Sequence, residues 1–311
     1  MLLAHRIELV PNKLQTSYLV DCAGCARFAY NWALTEWKNH WEKQKQLPKE
    51  QRKYVSELDL RKRLNAIKRS EYPFLMEVTK YAPQEAIKQL GTAFKNFFKG
   101  RAKYPTYRKR YVDDRFTIGN DHIRVKGNRV RLPHVGWIKM REAIRFAGSV
   151  QTVSISRQAD RWFISFGVKV DDHTPYFKQH AKNQGEVVGL DAGLTSLAVL
   201  SNGEKFDGPK SLRKGLKKLK KLQRALSRKV KGSKNRLRAK MRVARQHDRI
   251  ANIRKDALHK LTSHLTDTYK IICIETLNVK GMMKNKHLAR SIADASLSEM
   301  KRQLIYADKS N

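Results

Sequence analysis

Three observations predict a multidomain chain, α+β in its first part and α/β in its last. Apolar residues recur at helical spacing to about residue 100, the period then switches to two through residue 170, and from Gly185 strands and helices alternate again. The organisation expected is a small antiparallel β-barrel built from residues 1–11 and 105–172, with a helical lobe over 12–104 inserted between its first and later strands. A linker over 173–184 then leads to a domain over 185–311 that carries a basic helical insertion, 209–268. At 311 residues, one to three domains are expected.

Leu3 to Val10 reads as a strand, and Pro11-Asn12 breaks it before a helix with Leu14, Tyr18, Leu19, Cys22, Ala26, Tyr30, Leu34 and Trp37 on one face. Helical signals continue over Leu58 to Leu64 and Glu85 to Lys99, where Gly100 supplies a stop. Strands follow at Arg115 to Ile118, Ile123 to Val125, Arg129 to Leu132, Gly136 to Met140, Val150 to Ser156 and Arg161 to Val170. Gly119-Asn120, Lys126-Gly127-Asn128 and Ala159-Asp160 provide the turn chemistry between them. The last domain opens with a three-stranded meander, Gly185 to Asp191, Thr195 to Leu200 and Glu204 to Phe206. Leu212, Leu216, Leu219, Leu222 and Leu226 then form the seam of one helix, and a second runs from about Asn235 to Thr268, making a basic hairpin before the apolar strand Ile271 to Glu275.

Charge narrows the function. Lys and Arg number 66 against 28 Asp and Glu, a net charge of +38, which self-repels unless a polyanion neutralises it. From Lys210 to Lys255 there are 20 basic residues and one acid, Asp248, so half of the excess sits in 46 residues. Nucleic acid is the partner expected, with Lys217, Lys218, Lys220, Lys221, Arg224, Arg228, Arg236, Arg238, Lys240, Arg242 and Arg245 on its phosphates; a solvated charged hairpin is the alternative. No apolar run reaches the 18 residues of a membrane span and the N-terminus lacks a secretory pattern, so a bacterial cytoplasmic, nucleoid-associated protein with neither membrane partner nor small-molecule substrate is expected. Cys22, Cys25 and Cys273 are too few for a disulfide framework. Cys22 and Cys25 lack a second ligand pair, so no zinc is expected and they read as buried helical residues. His247, His259 and His264 lack metal-ligand spacing.

Two acids end apolar strands: Asp191, followed by Ala192 and Gly193, and Glu275, 84 residues later. Were those strands neighbours, the pair would suit a divalent metal that polarises a phosphodiester and activates water. Taken singly, each also fits an ordinary strand-end acid.

Gly189-Leu190-Asp191-Ala192-Gly193-Leu194, Leu197 to Gly203 and Ile274-Glu275-Thr276-Leu277-Asn278-Val279-Lys280-Gly281-Met282 together resemble the transposon-encoded TnpB family. Phe94 to Phe98 with Tyr104 to Lys109, Leu132-Pro133 with Gly136 to Lys139, and Leu288 to Ser296 extend the resemblance over nearly the whole chain. It implies an RNA-guided DNA endonuclease ancestral to type V CRISPR effectors, with a wedge-like barrel, a helical recognition lobe and a RuvC domain of RNase H fold. Asp191 and Glu275 would be its first two catalytic and metal-binding carboxylates, holding Mg2+. The resemblance also implies that a short duplex motif beside the target is read by the N-terminal lobe and barrel, with Asn31, Lys80, Gln84 and Lys88 as candidate base contacts. Lys80, Gln84 and Lys88 follow an i, i+4, i+8 pattern that any solvated helix also offers.

The family pattern continues with a zinc ribbon and a third catalytic Asp, whereas 15 residues follow Ser296 here and Leu297 replaces the usual Trp. A C-terminally truncated, incomplete RuvC domain with a weak Mg2+ site is therefore expected, Asp294 and Asp308 being poor substitutes for the third acid. The function expected is guide-RNA binding and RNA-directed DNA binding with impaired cleavage. An active metal-dependent endonuclease and a basic RNA-binding protein without a DNA target are the alternatives.

Overall fold

A computed structural model of the chain describes residues 1–119, 123–170 and 185–308. Asn120 of the Gly119-Asn120 turn and the linker over 173–184 lie outside the described residues. The chain divides into two compact units, Met1–Asp171 and Asp172–Asn311. Among the described residues no helix is long and apolar enough to cross a membrane.

In the first unit, β1 (Leu2–Val10) runs into α1 (Lys13–Gln44) across a capping box, in which the Asn12 carboxamide accepts the Gln15 N–H and the Gln15 side chain accepts the Asn12 N–H. The Gln15 amide also donates to the carbonyls of Val135 and Trp137, tying the helix start to the sheet. Cys22, Ala26, Tyr30 and Leu34 are buried along α1 as the spacing predicts, whereas Leu14 is 82% exposed in the first turn. Next come α2 (Glu57–Ile67) and α3 (Tyr81–Phe98), which buries Ala82, Ala86, Leu90 and Phe94 and stacks Phe94 on Trp37 with ring centroids 4.1 Å apart. Burial pushes the thiols of Cys22 and Cys25 up to about 12 and 11, so both pack as neutral side chains.

The strands β2 (Arg115–Ile118), β3 (Arg124–Lys126), β4 (Arg129–Leu132), β5 (Gly136–Met140), β6 (Ser149–Gln158) and β7 (Arg161–Lys169) join β1 in one sheet of order β2-β6-β7-β1-β5-β4-β3. β1 is central, antiparallel to β7 and β5. Leu3, Ile7 and Leu9 pack on its inner face, and Trp162, Ile164, Phe166 and Val168 are the buried alternate residues of β7. The expected closed barrel is corrected to an open antiparallel sheet, in which β2 and β3 are the two ends. Closure needs the two end strands to hydrogen-bond to each other in a fixed register. β3 offers Val125 alone, 37% exposed between Arg124 and Lys126, while helix α3 lies beside β2, where Gln89 donates to the Thr117 hydroxyl at 3.0 Å.

The second unit holds β8 (Gly185–Asp191), β9 (Ala198–Leu200), β10 (Lys205–Phe206), α4 (Ser211–Ser227), α5 (Lys234–Thr268), β11 (Tyr269–Ile274), α6 (Val279–Met282), α7 (Ala289–Ala295) and α8 (Leu297–Asp308). Its sheet order is β10-β9-β8-β11, an antiparallel meander extended by β11, which runs parallel to β8. One face buries Val188, Leu190 and Leu200 against Leu258, Leu261 and Leu265 of α5 and Met300 and Leu304 of α8. A buried hydrogen bond from the Thr262 hydroxyl to Gln303 Oε1, 3.0 Å, joins the two helices. Val187 and Ile271, which alternate to the other face, are 58% and 50% exposed.

Candidate functional site

The parallel ladder pairs Cys273 with Gly189 and Ile274 with Leu190. Asp191 ends β8 and Glu275 immediately follows β11, so the two acids fall at the same, next register position at the carboxyl ends of neighbouring strands, whose spacing is about 4.8 Å. In open sheets that edge is where ligands bind. Both side chains are exposed, and Glu275 borders a cleft of about 130 Å³ that Lys301 also lines. Two hard oxygen donors suit one Mg2+ that keeps most of its water shell. Among the described residues no group of three or more His, Cys, Asp or Glu is arranged to hold a metal.

Asp294 is engaged elsewhere. Its carboxylate accepts the backbone N–H groups of Leu212 (2.9 Å) and Arg213 (3.2 Å) and the Ser211 hydroxyl (3.2 Å), capping α4 from 82 residues away. This long-range cap satisfies amides that a helix start leaves without intrahelical acceptors. Arg254 adds a second tie from α5 to the Ala293 carbonyl at 2.7 Å.

The basic hairpin forms where Gly232, at φ +85°, turns the chain and the Ser233 hydroxyl caps α5 by accepting the Arg236 N–H. Close approach fixes its base: a Cβ on Gly215 would stand 2.8 Å from Ile250 Cδ1, and the Ser211 hydroxyl donates to the Ile250 carbonyl. Lys217, Lys218, Lys220, Lys221, Arg224 and Arg228 are exposed along α4, and Arg238, Lys240, Arg242 and Arg245 along α5. Arg236 differs from the rest. Its guanidinium donates to the carbonyls of Leu226 and Lys229 at 3.1 and 2.8 Å, closing the end of α4.

In the first unit, Lys80 and Gln84 line a cavity of about 420 Å³ with Arg61 and Asn65 of α2, with Lys68 just after it and with His134. Among the described residues the Arg61 Nε is buried without a hydrogen-bond partner. Lys80 precedes α3, with its Nζ 5.4 Å from the Tyr81 ring centre, while Lys88 lies 3.8 Å from Glu85 and does not line the cavity. Asn31 is committed to the fold: its carboxamide accepts the Arg108 N–H at 2.7 Å and donates to the Arg108 carbonyl at 3.0 Å. Arg108 itself is buried 3.9 Å over the Tyr30 ring and donates to Gln89, and burial holds its guanidinium down to about 10.

Residues 165–286 match the family model described as "Probable transposase", and residues 1–46 match one described as "Helix-turn-helix domain". A relative from Escherichia coli (strain K12), named "Putative RNA-guided DNA endonuclease InsQ", is 35% identical over 97% of this chain and 77% of its own length. A Streptomyces pristinaespiralis protein named "Putative RNA-guided DNA endonuclease" is 37% identical over 97% of this chain and 74% of its own. The chain belongs to the TnpB family.

In this TnpB-family chain the transposase match spans Asp191, Glu275 and the whole basic hairpin. Residues 1–46, despite the name of their match, form strand β1 and one unbroken helix, α1. Sequence reasoning missed Arg61, Asn65, Lys68 and His134. The first three share a face at i, i+4 and i+7, a polar stripe that was visible in the sequence.

Proposed function

We propose that this TnpB-family protein binds a guide RNA on its basic hairpin, is directed by that RNA to DNA, and hydrolyses the DNA slowly. The observation that carries this reading is that the carboxylate pair at the β8 and β11 ends and the hairpin with half of the chain's charge excess belong to one unit. Exposed cations neutralise phosphates and release counterions, which supplies affinity without sequence preference; base pairing by the guide then supplies the sequence. In this reading the second unit is a RuvC domain of RNase H type, for which the meander extended by a parallel strand is a suitable frame.

Asp191 and Glu275 would hold Mg2+, which supplies Lewis-acid polarisation of a phosphodiester when bound. The protein's own part is to keep two anionic oxygens side by side at the sheet edge, and the hairpin's part is to retain the strand there. The slow rate in this reading rests on the donors found among the described residues, where Asp294 spends its carboxylate on the α4 cap and Asp191 and Glu275 are fewer than a two-metal site uses. A fully active endonuclease is the second reading, favoured by the adjacency of the two strand ends. In the cavity of the first unit, Lys80, Gln84 and Arg61 would contact base edges or phosphates of the duplex beside the target.

The test compares the protein with its Asp191→Ala, Glu275→Ala double variant, both loaded with guide RNA, in cleavage and gel-shift assays on matched DNA. Equal binding with little cleavage by either supports the proposal. Rapid cleavage by the unaltered protein that the double variant abolishes establishes the second reading, and no guided binding by either refutes both.

A further inference from the structure

A second cleft of the same unit, about 550 Å³, lies between the loop that follows Asp191, the entry to α4 and the segment leading into α7. Gly193 and Thr195 form one wall, Lys210 and Arg213 another, and Arg290 and Ser291 a third. Lys210, Arg213 and Arg290 are exposed, and none of the three forms an ion pair with a carboxylate among the described residues. The one acid in the lining is Asp294, and its oxygens already accept the Ser211 hydroxyl and the Leu212 and Arg213 amides. The cleft is thus a cationic hollow whose single carboxylate is engaged by hydrogen bonds from the start of α4.

Two further features hold the cations in place. Lys210 adopts φ +45° and ψ +43°, a left-handed conformation disfavoured for a residue with a side chain, at the point where the chain enters α4. The Asp294 cap fixes the next three residues, so Lys210 and Arg213 are presented from a pinned backbone. On the opposite wall, a Cβ on Gly193 would stand 2.9 Å from the Ser196 carbonyl oxygen, which keeps that loop tightly folded two residues after Asp191.

We infer that this cleft binds the sugar-phosphate backbone of a single nucleic-acid strand, with Arg213 and Arg290 on phosphodiester oxygens and Lys210 as a third point charge. Guanidinium groups match phosphate oxygens in pairs, and the Thr195 and Ser291 hydroxyls add neutral donors. A strand seated here lies against Gly193 and Thr195 of the loop that follows Asp191. The inference rests on the nucleic-acid reading above but uses none of Lys217, Lys218, Lys220 and Lys221.

The test uses the guide-RNA complex and an Arg213→Gln, Arg290→Gln double variant, with Lys49→Gln, Lys62→Gln as a control of equal charge. Affinity for oligothymidylate is measured against salt, and guide-RNA affinity is measured separately with purified RNA. Losing two phosphate contacts should weaken oligothymidylate binding about tenfold and lower the salt slope by about 1.4, since each single-strand phosphate contributes roughly 0.7. Amide exchange at residues 193–195 and 288–291 should slow when oligothymidylate is added to the unaltered complex, and should not in the double variant. A loss confined to guide-RNA affinity would assign the cleft to the RNA backbone. Unchanged affinity, slope and exchange for both strands would overturn the inference. Should the protein fail to bind guide RNA at all, oligothymidylate binding by the free chain still reads the cleft, so the two proposals fail separately.

Discussion

Replacing Asp294 with Ala isolates the long-range cap. Its carboxylate is the acceptor for the Leu212 and Arg213 amides and for the Ser211 hydroxyl, in the first turn of α4. Loss of a helix N-cap costs about 1 kcal/mol, and loss of an anion at a helix N-terminus up to about 1 kcal/mol more, so the expected cost is about 2 kcal/mol. The Ser211 hydroxyl retains the Ile250 carbonyl as a partner and adds little. A cost of that size raises the opening equilibrium of the first turn about 30-fold and lowers the melting temperature of the second unit by roughly 6–8 °C. Amide exchange followed by mass spectrometry resolves residues 211–214, and circular dichroism gives the melt. Asp294→Asn keeps the acceptor without the charge and should lose up to about half as much. Exchange in the first turn of α4 that is the same in Asp294→Ala as in the unaltered protein would refute the cap as a source of stability.

Charge reversal at Lys217, Lys218, Lys220 and Lys221 should weaken binding to every polyanion and flatten its salt dependence; an unchanged slope places the nucleic acid elsewhere. Alanine at Lys80, Gln84 and Arg61 should relax preference for the duplex motif beside the target, whereas a uniform loss of affinity would make these phosphate contacts. Burial, with help from the Arg145 charge, holds the His5 imidazole below its ordinary value, and its Nδ1 accepts the Arg145 N–H at 3.2 Å. A depressed folded-state value means that this stabilisation is complete above about pH 6.5 and is lost as pH falls through the lower folded value. All five Trp residues lie in the first unit, so Trp fluorescence should show its melting temperature falling from pH 7 to pH 5. His5→Gln should lessen that fall; an equal fall in the variant refutes the assignment.

Local patterns were legible because their causes are local. The strands over Arg115–Ile118, Arg129–Leu132 and Gly136–Met140 follow from period two, and both hairpin helices follow from their leucine spacing and Gly232. The third strand of the first unit slipped by one residue, since Arg124-Val125-Lys126 has too little apolar pattern to set its ends. Barrel closure was not legible, because it depends on which edges meet and not on the strands themselves. Pairings over long separations were equally hidden: Asn31 with Arg108 spans 77 residues and Asp294 with Leu212 spans 82. Arg236 reads like any other cation of the hairpin until the carbonyls of Leu226 and Lys229 are seen to be its partners. The carboxylate pair was read as two strand ends, and the structure supplies the register that makes them neighbours.

Whether an RNA carried on the basic hairpin directs the protein to DNA is decided by sequencing the RNA that copurifies with the chain and asking whether DNA matched to it is bound. One abundant structured RNA is expected, lost when the four hairpin lysines are reversed, with a gel shift only for DNA matching its variable end. A mixture of unrelated cellular RNAs, with equal shifts for matched and unmatched DNA, would contradict RNA guidance.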